Sequence, residues 1–180
     1  MRAFISLNLL CDESISKVLA DLNSIGVKTV NSNQLHITLK FLGDIDKKHV
    51  DNISKAVEAT ADVFHRFDMK INKVGTFPRK DGSGIVWIGS DDQTVIDISK
   101  KLDELLYSNG IDRENKPFKN HVTIARPKHD IKNINEYLNS REYHFKEQTI
   151  NSMFLMSSVL TPAGPIYTIE KEYPLISDNL

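Results

Sequence analysis

The feature that most constrains this chain is a tetrapeptide pattern written twice. The segment "QLHITLKFLG" carries His36-Ile37-Thr38-Leu39, and "KNHVTIARPK" carries His121-Val122-Thr123-Ile124, 85 residues apart. Side chains two apart on a β-strand share a face. His36 and Thr38 therefore look one way, while Leu35, Ile37, Leu39 and Phe41 look the other. His121 and Thr123 repeat this against Val122 and Ile124. Each strand has an apolar face to pack on helices and a polar face holding an imidazole beside a hydroxyl. Any fold the chain adopts must serve both strands in this way.

The remaining elements follow from hydrophobic period. Residues 2–10 alternate as a strand, with Ala3, Ile5, Leu7 and Leu9 on one face. Residues 12–25 switch to helical period, with a stripe of Ile15, Val18, Leu19, Leu22 and Ile25, and Gly26 stands where a helix ends. A strand over 35–42 and a helix over 47–63 complete the first half. The second half reads as strands at 66–76 and 84–90 around the turn "RKDGSG". Ser90-Asp91-Asp92-Gln93 resembles a capping box, opening a helix that buries Val95, Ile98, Leu102 and Leu105 and ends at Asn109-Gly110. A strand at 119–126 follows, stopped by Pro127, then a helix at 131–139. Strands at 148–160 and 165–173, joined by "TPAGP", close the chain.

A strand bearing His-x-Thr followed by a helix thus occurs once in each half. The pattern predicts an α+β fold: a single domain over residues 1–180 made of two similar lobes, with antiparallel sheets lining a central cleft and helices outside.

Composition narrows the function. The chain has 180 residues and a formal net charge of -1. That argues against life on long nucleic acid through a broad basic surface, and leaves room for a site that takes a few nucleotides. No apolar run approaches the ~20 residues of a membrane span. The opening "MRAFISLNLLCDESI" lacks a small-residue cleavage site and alternates like a strand, which argues against a signal peptide. The single cysteine, Cys11, has no internal partner, in keeping with a reducing compartment. The expectation is a cytoplasmic monomer.

Two imidazoles across one cleft can divide acid and base work, because imidazole titrates near neutrality. In-line displacement at phosphorus needs that division: a proton leaves the attacking oxygen on one side and another reaches the departing oxygen on the other. The two threonine hydroxyls can bond the non-bridging oxygens, where charge builds. Arg126 suits phosphate by geometry. Strict alternation places it on the face opposite His121, so it reaches the site only if the strand twists or ends before Pro127. Lys40 shares the face of His36 and Thr38 by parity, as added cleft charge or as a solvated strand end. His49, His65, His129 and His144 form no metal-ligand spacing, and no glycine-rich phosphate loop is present. Chemistry without a metal or cofactor is expected.

The paired His-x-Thr-x motifs resemble the two-histidine (2H) phosphoesterase superfamily. The chain most resembles its RNA 2′,3′-cyclic phosphodiesterases, also called 2′-5′ RNA ligases. The resemblance extends through "MRAFISLNL", "LHITLKFLGD", "GIVWIG", "FKNHVTIARPK" and "SSVLTPAGPIYTIEKEYPL". One departure is Asn120, where the family often has proline before the second histidine. The resemblance implies a bilobal, pseudo-twofold fold acting on RNA ends that bear a 2′,3′-cyclic phosphate, hydrolysed to a 2′-phosphate. It further implies His36 as proton donor, His121 as proton acceptor, and Thr38, Thr123 and Arg126 as phosphate-binding residues; residue spacing alone does not distinguish acid from base. Ligation through a 2′-5′ linkage is the same reaction in reverse. A related 2H activity on 2′-5′ linked oligonucleotides or small cyclic nucleotides, a non-catalytic RNA-end binder, and a metal-dependent hydrolase stand as rivals. Phe118 and Tyr167 offer aromatic faces that suit a stacked base or plain packing.

Overall fold

The computed structural model describes residues 1–178. Its elements are β1 (Arg2–Asn8), α1 (Glu13–Ser24), β2 (His36–Asp44), α2 (Lys47–Ala61), β3 (Phe67–Met69), β4 (Lys73–Pro78) and β5 (Gly84–Gly89). They continue with α3 (Gln93–Ser108), β6 (His121–Ala125), α4 (Ile131–Asn139), β7 (Gln148–Ile150), β8 (Ser152–Thr161) and β9 (Gly164–Pro174). Seven strands form one antiparallel sheet in the order β4-β5-β6-β2-β1-β8-β9. The expected α+β architecture with antiparallel pairing is what the chain adopts. The two expected sheets are two leaves of this one sheet, β4-β5-β6 and β2-β1-β8-β9, and they meet at a single bridge between Ile37 and Val122.

Three of the four helices start where an aspartate caps them. Asp12, Asp46 and Asp92 each accept a hydrogen bond from a backbone N–H of the first turn of α1, α2 and α3. Each such cap is worth about 1 kcal/mol over alanine. The cap of α3 is Asp92, two residues beyond the serine of the expected capping box. Ser90 Oγ instead accepts from the Asp92 N–H at 3.0 Å, bending the chain into the helix. Gly26 and Gly110 end α1 and α3 in the left-handed region, with φ of 81° and 85°. In each case the next N–H returns to a carbonyl of the last turn, Val27 to Leu22 and Ile111 to Leu106.

The predicted stripes are buried, with small shifts. Ile15, Val18, Leu19 and Leu22 line the core from α1, while Ile25, at the helix end, stays exposed. On α3 the stripe runs Val95, Ile98, Leu102 and then Leu106; Leu105 is half-buried. Ile37 and Leu39 from β2 and Val122 and Ile124 from β6 join these side chains in one core. Each fully buried aliphatic side chain contributes roughly 1.5–3 kcal/mol.

Two strands read as continuous are broken. The 66–76 segment divides into β3 and β4, and the 148–160 segment into β7 and β8. The detached pieces β3 and β7 pair with each other as a small second sheet. Backbone bonds take over at the breaks: the Asn72 N–H donates to the Gly89 carbonyl, and the Asn151 carbonyl accepts from Leu175.

The fold overturns the placement of Lys40 near the site. Its side chain is 6% exposed and points to the helix side, where Nζ donates to Asp103 Oδ1 and to the Asp112 carbonyl, each at 2.7 Å. The cause is a β-bulge. Ser6 pairs with Thr38 and Ile5 with Lys40, so Leu39 is an extra residue and parity inverts beyond it. Asp103→Ala leaves this ammonium buried without its carboxylate. We expect a loss of about 3 kcal/mol in urea unfolding, the low end for a broken buried pair because Asp103 is itself partly exposed, and a smaller loss when Lys40→Met is added.

Candidate active site

The bridge between Ile37 and Val122 generates the site. Both residues turn into the core, so their neighbours turn to the opposite face. In an antiparallel pair this sets His36 beside Thr123 and Thr38 beside His121. All four are half-buried. The structure thus gathers the four motif residues on one face, around a local two-fold.

The bulge at Leu39 has a twin. Trp87 pairs with Thr123 and Val86 with Ala125, so Ile124 is the extra residue on β6. Both bulges bury two consecutive residues, Leu39-Lys40 and Ile124-Ala125. Both return the next residue to the histidine face: Phe41 on β2 and Arg126, the residue just past β6, each exposed. This is how Arg126 reaches the site against strict alternation. Phe41, assigned by alternation to the core face, joins the site instead. It lies 6.1 Å from Phe4 by ring centroids, and Phe4 lies 5.0 Å from His36.

The imidazoles are held alike. His36 Nδ1 lies 2.7 Å from the Gln34 carbonyl, and His121 Nδ1 lies 2.7 Å from the Lys119 carbonyl. A carbonyl only accepts, so Nδ1 carries the hydrogen in both rings, and Nε2 is left to exchange protons with a ligand. Aromatic edges steady the rings. Tyr167 meets His36 at 5.1 Å and Phe77 meets His121 at 5.2 Å, both edge-on. Phe77 is itself stacked on Trp87 and covered by the Lys119 ammonium. The Gln34 and Lys119 carbonyls carry no signature in the sequence; the rule that finds them is the residue two before each histidine.

Burial pushes both imidazoles below their ordinary pKa. The main-chain carbonyl pulls each back up. Positive charge then pushes down again: Arg126 and His121 act on His36, and Arg126 and Lys119 act on His121. One guanidinium therefore lies within electrostatic reach of both rings.

Tyr167 borders the cleft, whereas Phe118 packs against the core. His49, His65, His129 and His144 are exposed and each pairs with a nearby carboxylate, away from the site. Asn120 accepts from the Ser90 N–H through its carbonyl, and its side-chain amide is buried with no protein partner among the described residues. Among the described residues no three His, Cys, Asp or Glu side chains converge in a way that could hold a metal ion. No described helix is long and apolar enough to cross a membrane.

Comparison with known proteins adds relatives. The pattern of the LigT-like phosphoesterase family matches residues 11–87. A Methanocaldococcus jannaschii protein named RNA 2′,3′-cyclic phosphodiesterase is 30% identical, over 96% of this chain and 100% of its own length. An Aquifex aeolicus protein of the same name is 35% identical, over 86% of this chain and 85% of its own. Among solved structures, a Thermus thermophilus protein superposes with a TM-score of 0.80 at 22% identity, covering 99% of this chain and 100% of that one. E. coli LigT complexed with 3′-AMP gives a TM-score of 0.73 at 19% identity, covering 97% and 96%. At these identities the structural likeness speaks to fold.

The shared guanidinium gives a test that needs no substrate. In an NMR titration, His36 and His121 should protonate below the ordinary imidazole value of about 6.5. Arg126→Ala removes a positive charge that disfavours both imidazolium forms, so both midpoints should rise. Unmoved midpoints would contradict the arrangement.

Proposed function

The chain belongs to the LigT-like phosphoesterase family, and from that premise we propose that it hydrolyses RNA 2′,3′-cyclic phosphate ends to 2′-phosphates by two-histidine acid-base catalysis without a metal ion. The observation that carries the reading is the symmetric pair of imidazoles, each with Nδ1 tied to a main-chain carbonyl and Nε2 free on the face that also bears Thr38, Thr123 and Arg126. We read the chain as one domain of two lobes, working as a cytoplasmic monomer.

In this mechanism His121 Nε2 takes a proton from water as its oxygen attacks phosphorus. The bond from phosphorus to the 3′ oxygen breaks, and His36 gives that oxygen a proton. The product carries a 2′-phosphate and a 3′-hydroxyl. Thr38 and Thr123 bond the non-bridging oxygens, and Arg126 balances the charge that develops there. The donor and acceptor assignment follows the family pattern. Arg126 has two opposed effects: it lowers the basicity of the general base and stabilises the transition state. The phosphate's own negative charge offsets the first effect once substrate is bound.

The deciding experiment incubates a short RNA ending in a 2′,3′-cyclic phosphate with the protein and a chelator, and maps the product end against 2′- and 3′-phosphate standards. We expect a 2′-phosphate. His36→Ala and His121→Ala should each lower the rate by at least about a hundredfold, the usual worth of a positioned acid or base. Turnover near wild type in either variant, or turnover only with added metal, would overturn the mechanism.

The pH profile of kcat/KM should be a bell. Its acid limb is protonation of the base and its alkaline limb is deprotonation of the acid. Both imidazoles are shifted down, so both limbs should lie to the acid side of free imidazole. A profile flat across neutrality would contradict the pair.

A further inference from the structure

Two glycines on the β4-β5-β6 leaf have no backbone reason to be glycine. Gly75 on β4 and Gly89 on β5 both lie outside the positive-φ region. What they share is Trp87. Trp87 pairs with Gly75 on one side and with Thr123 on the other, and Gly89 follows two residues along the same strand, opposite His121. Paired residues and residues two apart share a face. Thr123, Trp87 and His121 therefore look into the cleft together, and the two glycines leave that face open beside the indole. A Cβ at Gly75 would stand 2.6 Å from Trp87 Cζ2 and 3.0 Å from Cε2, and one at Gly89 would stand 2.9 Å from Cζ3 and 3.1 Å from Cε3. These are opposite edges of the six-membered ring. The indole lies down on the sheet in the two slots that the missing side chains leave. Its Nε1 is buried with no protein partner among the described residues, so shape and not a hydrogen bond holds it there.

The indole carries a second layer. Phe77 stacks on Trp87 with centroids 5.1 Å apart and planes at 30°, and His121 meets Phe77 edge-on at 5.2 Å and 78°. Lys119 closes the group from both of its ends. Its ammonium lies 4.6 Å from the centre of the Phe77 ring, and its carbonyl accepts from His121 Nδ1–H. The hydrogen bond pins one atom of the imidazole. The contact with Phe77 sets the tilt of the ring, and with it the direction of Nε2. The other leaf is filled differently. Where the local two-fold would repeat Trp87 and Gly75 stand Ser6, paired with Thr38, and Phe154, paired with Ser6. Large and small are exchanged, and His36 rests against Phe4 and Tyr167 instead.

We propose that Trp87 is a positioning residue for His121, acting through Phe77, and that Gly75 and Gly89 are glycine so that the indole can lie flat beneath that stack. The catalytic consequence rests on the functional reading above, in which His121 Nε2 takes a proton from water; the positioning itself does not. A general base that points away from its proton loses rate even when substrate binds as before.

Gly75→Ala is the sharpest test. The three atoms nearest its added Cβ all belong to Trp87, whereas a Cβ at Gly89 also meets the Asn120 carbonyl at 2.7 Å. The methyl lifts the indole and the stack above it. On an RNA ending in a 2′,3′-cyclic phosphate, kcat should fall about tenfold or more while KM stays within about threefold. In an NMR titration the His121 midpoint should rise, because burial and the Lys119 ammonium hold it down in the intact stack, and the His36 midpoint should hardly move. Phe77→Leu breaks the link without a clash and should reproduce both effects. In a Trp87→Phe background, whose smaller ring reaches less far toward β4, Gly75→Ala should cost no more than about a further twofold. Circular dichroism should be that of wild type throughout.

The proposal is overturned if Gly75→Ala and Phe77→Leu leave kcat and the His121 midpoint unchanged, if both histidine midpoints move alike, or if Gly75→Ala costs as much in the Trp87→Phe background as in wild type. Should Gly75→Ala fail to fold, Phe77→Leu decides by the same two readouts. A wild-type protein inert on the cyclic end overturns the functional reading, and the titration still decides this inference.

Discussion

The antiparallel bridge between Ile37 and Val122 is the constraint on which the rest depends, because it fixes two strands from opposite halves of the chain in one register. Antiparallel pairing carries a local two-fold, and that two-fold turns a repeated tetrapeptide into a facing pair of imidazoles. A slip of one residue would put the histidine of one strand into the core and its aliphatic residues into the cleft. The register is therefore held by burial: Ile37 and Val122 are each 1% exposed, and their immediate neighbours on the histidine face are not buried. Site geometry and core packing are here one requirement.

Much of this was legible in the sequence, and the reason is period. The alternation in His36–Leu39 and His121–Ile124 reports which side of a sheet each residue takes, and both histidines, both threonines and their aliphatic neighbours lie where that rule puts them. The helical stripes of α1 and α3 were legible for the same reason. What alternation could not show is where it stops. The extra residues Leu39 and Ile124 are ordinary aliphatics, and nothing in their chemistry announces a bulge. For that reason parity misassigned Lys40 and Phe41 and left Arg126 unresolved. The Gln34 and Lys119 carbonyls were invisible for a different reason: a backbone atom has no letter. The split of the 66–76 and 148–160 strands was hidden because each half keeps strand-like residues, and the decision lay with a long-range partner.

The two leaves share a backbone plan and differ in what they place on it. After one bulge stands Phe41, after the other Arg126. The interior positions differ likewise, Lys40 against Ala125. Both flanks carry aromatic rings, Phe4, Phe41 and Tyr167 around His36 and Phe77 on Trp87 beside His121, and the His121 side adds the Lys119 ammonium over Phe77. A site with equal flanks would bind a substrate in two orientations. Here the framework supplies the matched pair of histidines, and the side chains supply a direction.

The joint between the leaves has a consequence for folding. Each leaf is knit by long ladders, whereas β2 and β6 pair at one position 85 residues apart in the chain, beside a second bridge from Thr29 to Ala125 just before β2. Closing so long a loop costs entropy, and the shared core of Ile37, Leu39, Val122 and Ile124 with the helix stripes repays it more than the bridges do. The histidines lie across that joint. A chain folded in only one half has no cleft at all, which makes turnover a stricter gauge of complete assembly than any measure of strand content.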